Sequence, residues 1–191
     1  MNQLTRLVNR AHPLPRDFIP EDLMEPDIPF DAPAGDEKRL LAAPAALAAA
    51  RLFAAAKEQR LFLCGISGYR SFSRQEEIYL RRKKEMPDSY VNLYIAPPGA
   101  SEHQTGLALD VSCPAAGMEL KDDFALTPEG RWLRKNAPLY GFILRYPKGK
   151  EAVTGYAWEP WHIRYVTRPL AHCLSLTGMT LEEYIQMYPE Q

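Results

Sequence analysis

Cysteine is scarce and unpatterned in this chain. Cys64, Cys113 and Cys173 are odd in number and none stands in a CxxC spacing, which suits buried reduced thiols in a reducing compartment rather than a disulfide framework. An excess of one charge is missing as well. Against 23 Lys and Arg stand 24 Asp and Glu, a net charge of -1, so there is no electrostatic footprint for nucleic acid or an acidic membrane. Long apolar runs are absent too: even LAAPAALAAARLFAAA is broken by Pro44 and Arg51 and falls short of the ~20 residues that span a bilayer. The opening MNQLTRLVNRAHPLPRDF lacks the basic start and unbroken apolar stretch of an export signal. A cytoplasmic protein is therefore expected, although a mature exported form cloned behind a new Met1 would read the same. There is no internal repeat, and oligomeric state leaves no mark in the sequence.

What is present is an ordinary globular composition, 46% hydrophobic over 191 residues, enough for one domain with a sizeable core. Many of the 17 prolines fall in HPLPRDFIPEDLMEPDIPFDAPAG. Because proline removes a backbone donor and restricts φ, residues 1–39 read as an extended arm packed on a body formed by 40–191. Alanine-rich sequence from about Leu40 to Arg60 predicts a helix with Leu47, Leu52 and Phe53 on its apolar side. LFLCGIS predicts a buried strand, and SFSRQEEIYLRRKKEM a helix capped by Ser71 or Ser73, acidic early and basic late. SGYRS lies at the corner between them. Leu107, Leu109 and Val111 alternate with Ala108, Asp110 and Ser112, which puts Asp110 on the non-apolar face of a strand. TPEGRWLRKNAPLYG predicts a helix capped by Thr127, FILRY a strand, WHIRYV a strand with His162, Arg164 and Val166 on one face, and MTLEEYIQMY a helix capped by Thr180. The class is α+β: a single domain with a small, mainly antiparallel sheet flanked by helices.

Only four histidines occur, and two of them have carboxylates in suggestive places. A catalytic zinc takes three protein ligands and keeps one position open. His103, in a polar turn, and Asp110, on the following strand, are two candidates, and His162 in WEPWHIRYV is a third. Glu159, three residues before His162, has the character of a base beside a metal. Taken on spacing alone, without a compact HExxH motif, the trio reads equally well as a zinc site or as ordinary turn and strand residues. His12 and His172 read as surface or core residues. A serine or cysteine hydrolase finds little support: there is no SxxK, GISGY lacks the second glycine of GxSxG, and no cysteine sits in an activating motif.

The ordered pair SxHxxGxAxD (Ser101, His103, Gly106, Ala108, Asp110) and ExWH (Glu159, Trp161, His162) resembles the zinc D-alanyl-D-alanine carboxypeptidase and dipeptidase family, of the VanY and VanXY type and LdcB-like. SGYRS, APPGASEHQTGLALD and YGFILRYPKGKEAVTGYAWEPWHIRYV extend the likeness over about residues 60 to 170, with the cytoplasmic VanXY-like branch the nearer in length and tail. The resemblance implies one Zn2+ per chain, held by His103, Asp110 and His162 on one face of the sheet. It implies Glu159 as general base and acid, and Arg70 as the arginine that binds substrate and stabilises the oxyanion. Ser101 and Gln75 match positions near the substrate, and Tyr69, Tyr79 and Arg145 are weaker candidates for contacts. The implied substrates are peptidoglycan precursor peptides ending in D-Ala-D-Ala, with the free dipeptide a second candidate. The alternatives are L,D-carboxypeptidase action on tetrapeptide stems and a non-catalytic zinc-binding module for cell-wall peptides. Trp158 departs from the tyrosine that many relatives carry before the ExWH glutamate, a change that bears on the leaving-residue pocket.

Overall fold

A computed structural model describes residues 3–189. The proline-rich segment is irregular apart from β1 (Leu23–Met24), which pairs antiparallel with β2 (Leu41–Ala42). Its backbone also runs beside the first strand of the main sheet. The Gly65 amide donates to the Pro29 carbonyl and the Asp31 amide to the Gly65 carbonyl, each at 2.9 Å. This covers an edge that would otherwise expose unpaired backbone groups.

Helix α1 (Ala43–Glu58) buries Ala45, Ala48, Ala49, Leu52, Phe53 and Ala56, a single stripe at helical spacing. Leu47, expected on that side, is 53% exposed, because at ~100° per residue it falls opposite the stripe. The buried face is instead mostly alanine, and it shares one apolar cluster with Leu109, Val111 and Ile163 of the sheet.

The main sheet contains β3 (Cys64–Ser67), β4 (Ala108–Ser112), β5 (Phe142–Leu144) and β6 (His162–Tyr165), in the order β3-β4-β6-β5 and antiparallel throughout. Between β3 and β4 come α2 (Phe72–Glu85) and α3 (Asp88–Tyr94). Ser71 is the cap of α2, its side chain accepting from the Arg74 amide. Next are α4 (Pro128–Asn136), capped by Thr127, and the short α5 (Glu151–Thr154). The chain ends with α6 (Arg168–Thr177) and α7 (Leu181–Met187), where Thr180 and Glu183 form a reciprocal capping box. No helix among the described residues is long and apolar enough to cross a membrane.

Alternation along the strands sends Leu109, Val111 and Ile163 into one cluster with α1, Phe124, Leu133 and Phe142. A second cluster joins Ile143 and Val166 to α6, α7 and Leu7. The opposite face of β4 is not solvated as in a simple two-layer sheet. All five residues of β4 are buried, and the polar face looks into a cleft bordered by α2, α3 and the segment 146–161. Cys64 and Cys113 are buried free thiols, whereas Cys173 is only half-buried.

Candidate metal centre

Cross-strand register builds the site. Asp110 stands directly opposite His162 in the β4–β6 ladder and opposite Ser67 in the β3–β4 ladder. The latter pairing is possible because Gly65 pairs with Val111 while Ser67 pairs with Asp110, a bulge at Ile66 that turns Ser67 toward the same face. His103 comes from the 3₁₀ turn Glu102–Thr105, which ends at Gly106 with φ 67. A side chain there would meet the Ala42 amide nitrogen at 2.8 Å as well as strain the backbone.

Both imidazoles point at one carboxylate. His162 Nδ1 lies 2.9 Å from Asp110 Oδ1, and His103 Nε2 lies 3.2 Å from Asp110 Oδ2. The other nitrogen of His103, Nδ1, is 2.7 Å from the Gly68 carbonyl. That acceptor places its proton on Nδ1 and leaves Nε2 with a lone pair facing the cleft. Ligand atoms of His103, Asp110 and His162 all lie within 4.8 Å of one another, and two imidazoles with a carboxylate are a donor set that zinc takes where it has three protein ligands. The residues present therefore suit the ion.

Glu159 Oε2 is 4.0 Å from His162 Nδ1, beside the trio. Burial pushes this carboxyl up to about 8, against the pull of His162 and with a further push from Asp110. Asp110 behaves oppositely: despite burial, the two histidines hold it far below the usual carboxylate range. Burial also pulls His162 down, but the Asp110 and Glu102 carboxylates outweigh it and push the imidazole up to about 9. His103, for which burial dominates, is lowered. Because a ligating histidine must be unprotonated at the metal, loading the site releases protons.

Arg70 borders the same cleft. Its Nη1 donates to Gln75 Oε1 at 2.8 Å, its Nη2 donates to Ser67 Oγ at 3.0 Å, and Nη2 lies 3.9 Å from Asp110 Oδ2. Gln75 in turn donates to the Ala96 carbonyl at 2.6 Å. Both ends of that amide are engaged, so in this arrangement Gln75 holds Arg70 in place. Ser101 lines the cleft, and its hydroxyl makes no capping bond.

Two expected substrate contacts lie elsewhere. Arg145 is wholly buried: Nε donates to Glu102 Oε1 at 2.8 Å, while Nη1 and Nη2 donate to Glu182 at 2.9 and 2.5 Å. Its charge is consumed inside the protein, away from the cleft lining. Tyr79 is half-buried on α2 under Lys83, while its neighbours Ile78, Arg81 and Arg82 line the cleft in its stead. Tyr69 is buried outside the lining, and Trp158 also lies outside it, with Lys148 over its ring at 5.0 Å.

Sequence reasoning missed Tyr146, whose ring stacks on His162 at 4.9 Å and lines the cleft. It also missed Glu102, buried beside the histidines at the margin of the cleft, where Arg145 and Arg164 outweigh burial and hold its carboxyl far below the usual range. A glutamate inside the SxHxxGxAxD turn was the visible signal. Its partners, 43 and 62 residues away, were not visible.

A buried His-Asp-His cluster with a glutamate and an arginine beside it at an open cleft is an arrangement that suits a zinc-peptidase class of protein. Residues 38–168 match the family described as VanY: D-alanyl-D-alanine carboxypeptidase, and the chain belongs to that family. It is 42% identical to YodJ of Bacillus subtilis (strain 168) over 180 residues, 94% of this chain and 66% of that protein. It is 35% identical to the bifunctional D-Ala-D-Ala dipeptidase and carboxypeptidase VanXYC of Enterococcus gallinarum, covering 96% of this chain and 94% of that one. Among solved structures, the LdcB LD-carboxypeptidase superposes with TM-score 0.90 at 42% identity, over 94% of this chain and 84% of that chain. The VanY D,D-pentapeptidase in complex with Zn(II) superposes with TM-score 0.77 at 30% identity, over 96% and 99%.

Proposed function

We propose that this chain is a zinc-dependent carboxypeptidase that removes the C-terminal D-alanine from peptidoglycan precursor peptides ending in D-Ala-D-Ala. The observation that carries the reading is the convergence of His103 Nε2, the Asp110 carboxylate and His162 Nδ1 beside Glu159 and Arg70, at the floor of an open cleft of about 820 Å³. Zinc bound there supplies Lewis-acid polarisation of the scissile carbonyl and makes water a better nucleophile. The protein's own groups do the rest. The Glu159 carboxylate accepts the proton of the attacking water and returns it to the leaving amine, a task suited to a carboxyl that stands beside the trio and lines the cleft. Arg70 offers a fixed guanidinium to the oxygen on which negative charge develops, and Ser67 and Gln75 preorganise it. The cleft is roomy enough for a stem peptide, and the free dipeptide is a second substrate.

A second reading, L,D-carboxypeptidase action on tetrapeptide stems, draws on the likeness to LdcB. The two are separated by measuring amino-acid release from D-Ala-D-Ala, a pentapeptide stem and a tetrapeptide stem, before and after chelation and zinc add-back. The expected result is zinc-dependent release from the pentapeptide. Release from the tetrapeptide alone selects the L,D reading, and chelator-resistant hydrolysis of the pentapeptide overturns the zinc mechanism. Zinc binding with no release from any of the three supports a non-catalytic cell-wall-peptide module.

A further inference from the structure

The two proposed histidine ligands are held by different acceptors. His103 gives Nδ1, the nitrogen turned away from Asp110, to a neutral carbonyl, that of Gly68. At the ring nitrogen of His162 that does not meet Asp110 stands a carboxylate, which also borders the cleft. Glu102 is wholly buried, and its two oxygens are used differently. Oε1 accepts from Arg145 Nε at 2.8 Å and from Arg164 Nη1 at 2.7 Å. Oε2 accepts from nothing and faces His162 Nε2 at 3.6 Å, and that nitrogen is itself buried without a partner. Two buried polar atoms aimed at each other, each otherwise unsatisfied, are costly apart, and a shift of about half an ångström would join them at hydrogen-bond distance.

We propose that Glu102 is a positioning residue for the metal centre: its Oε2 accepts the Nε2 proton of His162, which leaves the Nδ1 lone pair directed at the metal point shared with His103 and Asp110. The inference rests on the zinc reading and deepens it. A carboxylate behind a ligating imidazole fixes its tautomer and raises its basicity, and removing such a partner weakens metal binding about 10–100-fold. The two arginines anchor the carboxylate. Arg164 Nη2 also donates to the Arg6 carbonyl at 2.9 Å, and Arg145 is clamped by Glu182 of α7, so Glu102 has little freedom to turn away.

Glu102→Gln tests this sharply. With two guanidiniums facing it, the amide oxygen must take the place of Oε1, which turns the amide NH2 toward His162 Nε2. That nitrogen must then accept, moving the proton to Nδ1, where it opposes the metal. Zinc affinity measured by competition with a chromophoric chelator is expected to fall about 10–100-fold in this variant. A long-range 1H–15N spectrum of the zinc-loaded wild-type protein is expected to show the His162 proton on Nε2. Glu182→Gln perturbs the same buried network one contact further from His162, and its zinc affinity is expected to fall far less than that of Glu102→Gln. Equal zinc affinity in Glu102→Gln and wild type overturns the proposal, as does a wild-type spectrum with metal on Nε2 of His162. If Glu102→Gln does not fold, the wild-type spectrum decides. Absence of zinc binding by the wild-type protein instead overturns the metal reading, and this inference with it. Loss in Glu182→Gln as large as in Glu102→Gln reduces Glu102 to a structural counter-ion.

Discussion

Strands β4 and β6 present two faces built from alternate residues of the same short stretches, and the faces solve opposite problems. On one, Leu109, Val111 and Ile163 meet the alanine stripe of α1, a contact in which any apolar group of the right volume serves. On the other, Asp110, His162 and Arg164 are just as buried, yet each is charged or polar and each needs a particular partner at a particular distance. Burial on the first face is stabilising in itself. Burial on the second is costly until the partners are in place. The structure answers with a near-neutral lattice, two arginines against Glu102 and Glu182, beside a site whose open side is the cleft. The apolar face thus carries the stability that lets the polar face hold unusual protonation states.

The strongest test of this division is Glu159→Gln. Turnover on the pentapeptide stem is expected to fall by about 10²–10⁴-fold, while zinc content and melting temperature stay at wild-type values. Steady-state kinetics with metal analysis and calorimetry read all three. Loss of metal would place Glu159 among the ligands and blur the separation of base from site.

Next in size is Arg164→Met. It leaves Glu102 with one guanidinium in the interior, and breaking a buried pair in this way costs about 3–5 kcal/mol. Urea unfolding measures it, and a cost below 1 kcal/mol would show that the lattice is not needed for the fold. On the apolar face, Leu109→Ala is expected to cost about 2–5 kcal/mol by lost transfer energy plus cavity. Unlike the polar-face variants, it should keep zinc affinity and kcat/KM well below its melting temperature. A Leu109→Ala protein that is stable but loses zinc would break the comparison, because it would mean that the faces are not separable. The smallest effect is assigned to Thr180→Ala. Removing the capping box of α7 is expected to cost about 0.5–2 kcal/mol, with zinc affinity unchanged although Glu182 reaches Arg145 from that helix.

Helix caps at Ser71, Thr127 and Thr180 were legible because capping depends on residues within one turn. The alternation in LALDVS and WHIRYV was legible for the same reason, since side chains of a strand point to opposite faces whatever lies across from them. Leu47, although larger than the alanines around it, lies opposite the buried stripe of α1 and is exposed, because which face is covered depends on packing and not on the helix's own residues. For Arg145 and Tyr79, likeness alone points to substrate contacts. Their surroundings send one into the interior and seat the other beneath Lys83, off the cleft lining.

By itself the sequence determined the order and type of most elements, the lack of a charge footprint, and which side chains are candidates to hold a metal, because local periodicity, composition and donor chemistry are properties of short stretches. Tertiary structure alone decided that Asp110 and His162 stand opposite each other across 52 residues, that a bulge brings Ser67 under Arg70, and that Glu102 is enclosed by two arginines beside His162. Those facts depend on strand register and on the pairing of buried charges. A buried charge is tolerable only with its partner, and the partner is supplied by whichever distant strand the fold lays beside it.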